Sequence, residues 1–387
     1  LPPVALSQGG ALQEGLIDLI AANSRSPAER RGDLKAQMAA HAFAQEVLRA
    51  WLPDDAAARA MDKGIARLLR MAEAQADHAL SRLLPGSYGA EAHLEDDGLG
   101  GGPFALRCRV VLDRGRLLVD FSGTDGALRT GLNAPLAVTE SAVRYVLTCL
   151  IAGLEDGNLD LINHGSFRAL DLKVPAGCLL NPPRGAAVAA GNVETSQRVV
   201  DLLLAALAPA LPESIPAASQ GTMNNLLLGF EAAAVGADQG RTHYETMAGG
   251  AGGGPLRPGA DAIQVHMTNT LNTPVEVLEQ DFPVRVEALA LRRGSGGAGG
   301  HPGGRGLLKQ LRFLAPATVT LLTERRGRAP RGLAGGEPGL PGRQLLRDSA
   351  GRERDLPAKI TLRVATDDLL TIETPGGGGW GVAGDSA

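Results

Sequence analysis

The chain has 387 residues, which is long enough to bury a large hydrophobic core in two or three compact lobes. Its formal net charge of -4 and the scatter of its basic residues exclude the concentrated positive charge typical of proteins that bind nucleic acids or anionic membranes. The three cysteines are widely spaced, and there is neither a long apolar run nor a signal-like N-terminus, so we expect a cytoplasmic protein without disulfides or a membrane span.

The first predicted lobe covers residues 1–84 and is helical. Ser26-Pro-Ala-Glu29 has the pattern of a capping box with proline at the first helical position, and it predicts a helix that runs to about Trp51. Met61 to Leu84 is a second helical stretch. The first of these helices carries a polar line beside an apolar stripe, so it presents a polar face as well as a packing face.

The second predicted lobe, residues 85–281, mixes helices and strands. We interpret Pro85 to Pro103 as an acidic, glycine-rich loop that leads into a β-hairpin with strands at Phe104–Leu112 and Arg116–Phe121. The remaining predicted elements are a helix at Asn133–Ala152, strands at Arg168–Val174 and Asn225–Phe230, and between these strands a helix that starts near Thr195. That last helix is apolar on nearly every face, which is typical of a helix buried between layers.

The third predicted lobe, residues 282–387, is rich in β-strands. Alternating patterns at Val284–Arg292 and Ala317–Leu322 predict short strands. We interpret the glycine-rich stretches, such as Gly294–Gly306 and Thr374–Gly381, as connectors in which backbone packs closely against backbone. The three lobes together predict an α+β fold.

Two polar patches next to the buried helix are the strongest signs of function. Asn192–Arg198 opens the helix, and Ala218–Asn225 follows soon after the helix ends. The first patch has two explanations: Asn192 and Thr195 cap the helix, or the excess of polar groups marks a ligand pocket at the helix N-terminus. The groups are mostly neutral amides and hydroxyls, which suit an uncharged amide or lactam better than a phosphate.

The remaining candidate chemistry is sparse. His266 has amide and hydroxyl neighbours, so it is either a structural or a catalytic histidine, and Glu245 is either an acid or base or a solvated surface residue. The seven histidines contain no metal-binding spacing. No phosphate-binding loop that ends in Gly-Lys-Ser or Gly-Lys-Thr occurs, so this chain is not expected to hold ATP.

Taken in order, a series of segments resembles the hydantoinase B/5-oxoprolinase family, which is related to the alpha subunits of acetone and acetophenone carboxylases. The segments are Glu29–Gln37, Val119–Asp125, Asn133–Leu136, Gly191–Arg198, Ala218–Asn225, Tyr244–Thr246, His266–Thr270, Asn272–Glu276 and Thr374–Gly379. They cover nearly the whole chain. The form of Asn272–Glu276 favours the bacterial hydantoinase B branch.

The resemblance implies the B component of an ATP-dependent cyclic-amide hydrolase that opens a hydantoin, 5-oxoproline or related lactam ring. A hydantoinase A-type partner would use the ATP, in a hetero-oligomer, and a divalent metal ion would activate water. Family members carry an N-terminal region with metal-binding segments that this chain lacks. The chain begins at Leu1 without a methionine, so we expect processing or a truncated reading frame, with the metal ligands upstream and otherwise unknown.

The site residues follow from the resemblance and from the two polar patches. We expect Asp33, Glu194 and His266 to be catalytic. The substrate-binding candidates are Gln37, Asn192, Thr195, Asn224, Asn225 and Asn269.

Two other functions remain open. One is the alpha-type component of a ketone carboxylase, which belongs to the same superfamily. The other is a non-catalytic scaffold fragment, which the missing metal segment favours.

Overall fold

The computed structural model describes residues 4–24, 26–155, 160–236 and 240–384. The chain divides into two compact units, one of Leu1–Leu68 with Gly229–Thr242 and the other of Leu69–Leu228 with His243–Ala387. Helices and several sheets make up an α+β fold, as predicted. The bounds of the three predicted lobes differ from those of the two units, and the lobes stay a prediction.

The first unit is mainly helical. Its elements are β1 (Ser7–Gln8), β2 (Ala11–Leu12), α1 (Glu14–Ala22), α2 (Pro27–Trp51), the first half of α3 (Asp55–Ser81) and α6 (Ala232–Val235). α2 has the predicted bounds, but the predicted capping box is wrong, because the Ser26 side chain accepts no hydrogen bond from the first turn. The Glu29 carboxylate lies 3.8 Å from the Arg30 guanidinium instead, and Pro27 supplies the fixed φ that starts the helix.

The second unit contains a sheet in the order β3-β4-β5-β6. Its elements are the end of α3, β3 (Gly86–Leu94), β4 (Phe104–Asp113), β5 (Arg116–Asp120), α4 (Leu136–Leu154), β6 (Leu170–Lys173) and α5 (Ser196–Leu207). β3 pairs with β4 along its whole length, from Gly86 opposite Leu112 to Leu94 opposite Phe104. The predicted loop at 85–103 is therefore wrong over its first half, which forms β3. In this strand, residues that point away from the core alternate with Tyr88, Ala90 and Ala92, which pack against it.

Two further sheets belong to the second unit, except for the last two residues of β7 and the first two of β8, which are counted with the first unit. They contain β7 (Asn225–Phe230), β8 (Arg241–Thr246), β9 (Val284–Leu291), β10 (Leu307–Phe313), β11 (Ala317–Leu322), β12 (Arg343–Arg347), β13 (Glu353–Asp355), β14 (Lys359–Val364) and β15 (Leu369–Glu373), together with helix α7 (Val275–Asp281). The strand orders are β14-β11-β7-β8 and β13-β12-β15-β10-β9. In the first of these sheets, Leu322 of β11 lies opposite Lys359 of β14, and this register brings Lys359 to the edge of the candidate site.

The glycine-rich segments pack against one another, as predicted. The Gly377 amide donates to the Gly304 carbonyl at 2.9 Å, and the Gly304 amide donates to the Ala251 carbonyl at 2.8 Å. A Cβ atom added at Gly377 would overlap the Ala251 carbonyl. These segments thus form a hydrogen-bonded bundle of irregular backbone, in which only glycine leaves enough room.

Among the described residues, one helix is long and apolar enough to cross a membrane by composition, namely α4, with a mean hydropathy of 1.4. Its Val143, Leu147 and Ile151 side chains are buried in the main hydrophobic core. α4 is therefore placed as a core helix.

Candidate functional site

A turn of π-helix, Gly191–Thr195, joins directly onto α5 and positions the first polar patch. The turn lies close to other backbone, because a Cβ atom on Gly191 would overlap the Asn133 carbonyl. Asn133 is itself fully buried, and its side chain bonds Leu128, Thr130 and Ala187. π-Helical turns often occur at functional sites, and this one directs Glu194 into the protein.

Glu194 is completely buried and makes few hydrogen bonds. Its Oε1 accepts from Asn225 Nδ2 at 2.9 Å and from the Met223 amide at 3.3 Å, while its Oε2 has no partner. Burial, and then the nearby Glu324 carboxylate, raise the pKa of Glu194 to about 7. The side chain can therefore hold or release a proton near neutral pH.

An open cavity of about 670 Å³ lies on the other side of Asn225. The polar residues of its wall include Asp97, Asn192, Asn225, Tyr244, Lys359 and three threonines, and the rest of the wall is largely apolar. The Tyr244 hydroxyl donates to Asn225 Oδ1 at 2.7 Å, and Asn225 Nδ2 donates to Glu194 and to the Leu322 carbonyl at 2.8 Å. Because both protons of this amide are used, the orientation of Asn225 is fixed and Glu194 is linked to Tyr244 through it.

Lys359 is a buried cation with close anionic neighbours. Its ammonium lies 2.6 Å from Glu324 Oε1 and 3.5 Å from Asp96 Oδ2. Burial opposes the charged form of Lys359, but these carboxylates outweigh burial and raise its pKa. The charge of Lys359 is thus already balanced inside the protein.

A second polar cluster surrounds Asp201 on α5. Asp201 Oδ2 contacts Arg325 at 2.7 Å and Arg198 at 3.3 Å, and Oδ1 lies 3.7 Å from His266 Nε2. Burial disfavours the ionised form of Asp201, but Arg325 and then His266 hold its pKa below its usual range. His266 has a φ of 56°, which is unusual for a non-glycine residue, and it lines a separate cavity of about 80 Å³.

The structure brings some of the predicted site residues together. Asn192 and Asn225 line the larger cavity, and Glu194 lies behind Asn225. Thr195 is buried and donates to the Leu132 carbonyl. Asn224 is buried beside the cavity wall, where its amide donates to Gln220 at 2.7 Å and accepts from Arg326 at 2.9 Å.

The other predicted residues lie elsewhere. His266 faces the smaller cavity, and Asn269 is exposed. Asp33 and Gln37 are exposed on α2, in the first compact unit, and Asp33 pairs with Arg30 at 2.9 Å. The roles of all these residues stay predictions.

The side-chain contacts decide two questions that the sequence left open: whether the first polar patch caps α5, and whether Glu245 is a solvated surface residue. Neither Asn192 nor Thr195 makes a capping hydrogen bond to α5, so the capping explanation of the first patch is wrong. Glu245 is buried rather than solvated, because Lys309 and Asn272 surround its carboxylate. Glu245 is therefore held in an internal ion pair.

Three site residues were missed at the level of sequence, namely Tyr244 as a wall residue, Lys359 and Glu324. Lys359 is one of only five lysines in the chain and starts an alternating strand pattern, which is a weak signal. Glu324 lies two residues after β11 and carries no distinct signal of its own. The signal at Lys359 does not say which distant residues come together.

A metal centre needs several ligand side chains that converge on one point. Within the parts of the chain that the structure describes, no three His, Cys, Asp or Glu side chains are placed so that they could hold a metal ion. These residues do not form a metal centre by themselves.

The sequence matches the family model for hydantoinase B/oxoprolinase over residues 1–383. It is 42% identical over 277 residues to 5-oxoprolinase 1 of Arabidopsis thaliana. The aligned region covers 71% of this chain and 20% of the relative. It is 28% identical to a putative D-/L-hydantoinase B subunit of Pseudomonas sp., over 94% of this chain and 62% of the relative. The chain therefore spans between a fifth and somewhat under two thirds of these relatives.

Two solved structures share the fold. The ATP-dependent caprolactamase of Pseudomonas jessenii superposes with a TM-score of 0.83 at 23% identity, over 98% of this chain and 66% of that one. Nucleotide-free acetone carboxylase superposes with a TM-score of 0.76 at 17% identity, over 98% of this chain and 56% of that one. The family match over nearly the whole length decides the assignment: this chain belongs to the hydantoinase B/oxoprolinase family.

Proposed function

We propose that this chain is the B component of an ATP-dependent cyclic-amide hydrolase and that the cavity of about 670 Å³ binds the cyclic amide. The observation that supports this proposal most directly is the series of hydrogen bonds that links Tyr244 through Asn225 to Glu194 at the cavity wall. The names of the sequence relatives support the same chemistry, since they are a 5-oxoprolinase and a component of a hydantoinase.

The hydrogen bonds determine what the wall offers to a ring amide. Because Tyr244 donates its proton to Asn225 Oδ1, the hydroxyl oxygen is left to accept a hydrogen bond from the ring N–H. Asn192 is exposed at the same wall and has a free-turning amide that can donate to the ring carbonyl. Glu194 does not line the cavity; it holds Asn225, and so Tyr244, in place.

The rest of the chemistry belongs to other components. ATP use is assigned to a hydantoinase A-type partner, which the name of the Pseudomonas relative supports, because a B-type subunit implies at least one other component. A divalent metal would activate water, with ligands outside the described residues of this chain. We further propose a cytoplasmic hetero-oligomer.

The test is turnover by the full chain, co-purified with an A-type partner from a neighbouring reading frame. Hydantoin, 5-oxoproline and ε-caprolactam are supplied with and without ATP and Mg²⁺ or Mn²⁺, and ring opening is followed by liquid chromatography. ATP-dependent opening of any ring supports the proposal. If the complex instead carboxylates a ketone with bicarbonate, the related carboxylase function is correct; if a stable complex does neither, the chain is a scaffold.

A conservative pair of variants tests the cavity as the site. Tyr244→Phe removes one hydroxyl at the wall and is expected to lower kcat/KM about tenfold, the usual scale for losing a buried hydrogen bond to a substrate. Tyr88→Phe is the matched control, because its hydroxyl donates to the Leu84 carbonyl at 3.3 Å and Tyr88 does not line the cavity. Equal activities for the two variants would show that the cavity is not the site of the reaction.

A further inference from the structure

The smaller cavity, of about 80 Å³, shares no wall residue with the larger one. Asp201, His266 and Arg331 are the charged or titratable side chains on its wall, and the rest of the wall is apolar. At about 10–15 Å³ for each water-sized group, the space holds roughly five to eight such groups. The cavity therefore suits a small ion or molecule and is too small for a nucleotide.

His266 is held at this wall in a left-handed backbone conformation. Its φ is 56°, and the Gln197 side chain fixes the preceding residue by donating to the Val265 carbonyl at 2.9 Å. The His266 side chain is only 10% exposed, and its Nε2 has no hydrogen-bond partner among the described residues. Backbone conformations of this kind in residues other than glycine occur often at ligand sites.

The neighbours of the His266 ring determine which nitrogen carries the proton. The Tyr145 hydroxyl lies 3.5 Å from Nδ1, and Asp201 Oδ1 lies 3.7 Å from Nε2. Although burial opposes the charge of Asp201, Arg325 lowers its pKa, so this carboxylate stays ionised. A negative charge beside Nε2 favours the tautomer that is protonated there, in which Nδ1 accepts from Tyr145. His266 therefore presents an N–H donor to the cavity.

A single oxygen atom can bridge His266 and Asp201. Their separation of 3.7 Å is too long for a direct hydrogen bond, but an atom placed between them lies within hydrogen-bond distance of both. This atom must accept from the Nε2 proton and donate to Asp201 Oδ1, and a hydroxyl oxygen does both. The ligand that fits thus carries a hydroxyl group.

The charges around the cavity favour an anion. Asp201 Oδ2 pairs with Arg325 at 2.7 Å and with Arg198 at 3.3 Å, and Arg198 also lies 3.7 Å from Glu324. With Arg331 on the wall, three arginines are set against two carboxylates. This excess of positive charge attracts an anion, and the Arg331 guanidinium has N–H donors for its oxygens.

From these observations we infer that the smaller cavity binds a small oxyanion that keeps one hydroxyl group, such as inorganic phosphate. Hydrogen phosphate donates its O–H to Asp201, and its oxygens accept from His266 and Arg331. Sulfate has the same shape but no proton at neutral pH, so it would place an oxygen beside the Asp201 carboxylate without a hydrogen bond. This inference does not depend on the proposed function, because it concerns binding by the chain alone.

The test compares these two tetrahedral anions, which differ in the proton that Asp201 accepts. The full chain is titrated with inorganic phosphate and with sulfate near neutral pH at equal ionic strength, and binding is followed by isothermal titration calorimetry. We expect phosphate to bind at least about tenfold more tightly than sulfate, which corresponds to about 1.4 kcal/mol. Equal affinities would overturn the inference. The absence of phosphate binding up to about 10 mM would also overturn it and would show that the cavity holds only water.

A pair of arginine variants locates the binding. Arg331→Gln removes the charge of an exposed side chain and leaves the carbonyl of residue 331 to accept from the Ala218 amide, so the variant should fold and its phosphate affinity should fall severalfold. Arg347→Gln, at the exposed end of β12, is the matched control and should bind phosphate like the wild type. If the two variants bind phosphate equally, the anion binds elsewhere and the inference fails.

The donor on His266 is tested in the same way. His266→Asn keeps a residue type that tolerates the left-handed backbone, but its shorter side chain no longer reaches the bridging oxygen, so phosphate affinity should fall at least about tenfold. An unchanged affinity in this variant, with cooperative urea unfolding retained, would contradict the inference. Crystals of the wild type soaked in arsenate, which also keeps a proton, should show an anomalous peak between His266 and Arg331; a peak only at other positions would exclude this cavity as the site.

Discussion

Replacing Glu194 by glutamine should change how stability depends on pH. Glutamine keeps the Oε1 acceptor that Asn225 and the Met223 amide use, but it cannot ionise. The groups around this carboxylate include Glu324, Lys359 and Arg326, and all three are present in both proteins. The difference between variant and wild type therefore reports the ionisation of Glu194 together with its coupling to Glu324, whose pKa burial also raises.

The sign and size follow from the pKa. The Glu194 pKa is about 7 in the folded protein against a usual 4.5, so between these values the folded state binds more protons than the unfolded state. The free energy of unfolding of the wild type must then fall as the pH rises from 4.5 to about 7. At about 1.4 kcal/mol per pKa unit, the total loss is about 3 kcal/mol, and Glu194→Gln avoids it.

The assay is urea unfolding of both proteins at pH 5, 6, 7 and 8, chosen because urea does not screen charges. Relative to wild type, Glu194→Gln should gain about 2.5 kcal/mol between pH 5 and pH 8, since the rest of the total loss falls below pH 5. Glu353→Gln, on the exposed strand β13, is the matched control and should show no such gain. A difference between Glu194→Gln and wild type that is constant over this range would refute the reasoning.

Three further substitutions test the packing around the site, each measured by urea or thermal unfolding. Gly377→Ala should prevent stable folding or cost more than about 4 kcal/mol, because its Cβ would overlap the Ala251 carbonyl; Gly153→Ala, in α4 with open space around it, should be neutral or slightly stabilising. Asn133→Ala removes the four hydrogen bonds of a fully buried amide, so a loss of about 2–4 kcal/mol is expected and a loss near zero would contradict its role. Asp201→Asn leaves Arg325 and Arg198 facing a neutral amide, so the free energy of unfolding should fall by about 3–5 kcal/mol. A loss near zero would show that solvent reaches these guanidinium groups.

Local sequence patterns predicted several elements whose apolar residues contrast clearly with the residues that flank them. α2 at Pro27–Trp51, β7 at Asn225–Phe230 and β11 at Ala317–Leu322 were all predicted with the observed bounds. β3 was missed because two of its inward residues are alanines and their neighbours are glycine, serine and glutamate, so its apolar contrast is weak. Pairing with β4 overrides that weak local preference.

The candidate site could be predicted only as far as neighbours along the chain allowed. The polar patch before α5 identified Asn192 and Glu194, and the patch before β7 identified Asn225. Lys359 joins them because β14 pairs with β11, placing Lys359 opposite Leu322. Such a pairing depends on the register of two distant strands, and no local pattern in one sequence specifies it.

The cost of burying Glu194 itself supports a role beyond packing. A glutamine in its place would make the same Oε1 hydrogen bonds without an ionisation cost near neutral pH, so stability alone does not favour a glutamate here. Glu194 acts on the cavity through Asn225 and Tyr244, and ionisation at about pH 7 would strengthen the hydrogen bond that orients them. We therefore expect kcat/KM of the complete complex to rise through a midpoint near pH 7 in the wild type and to lose that step in Glu194→Gln, even though the variant is more stable at pH 8. A wild-type profile that is flat from pH 6 to pH 8, or a variant that keeps the step, would show that Glu194 is only a structural residue.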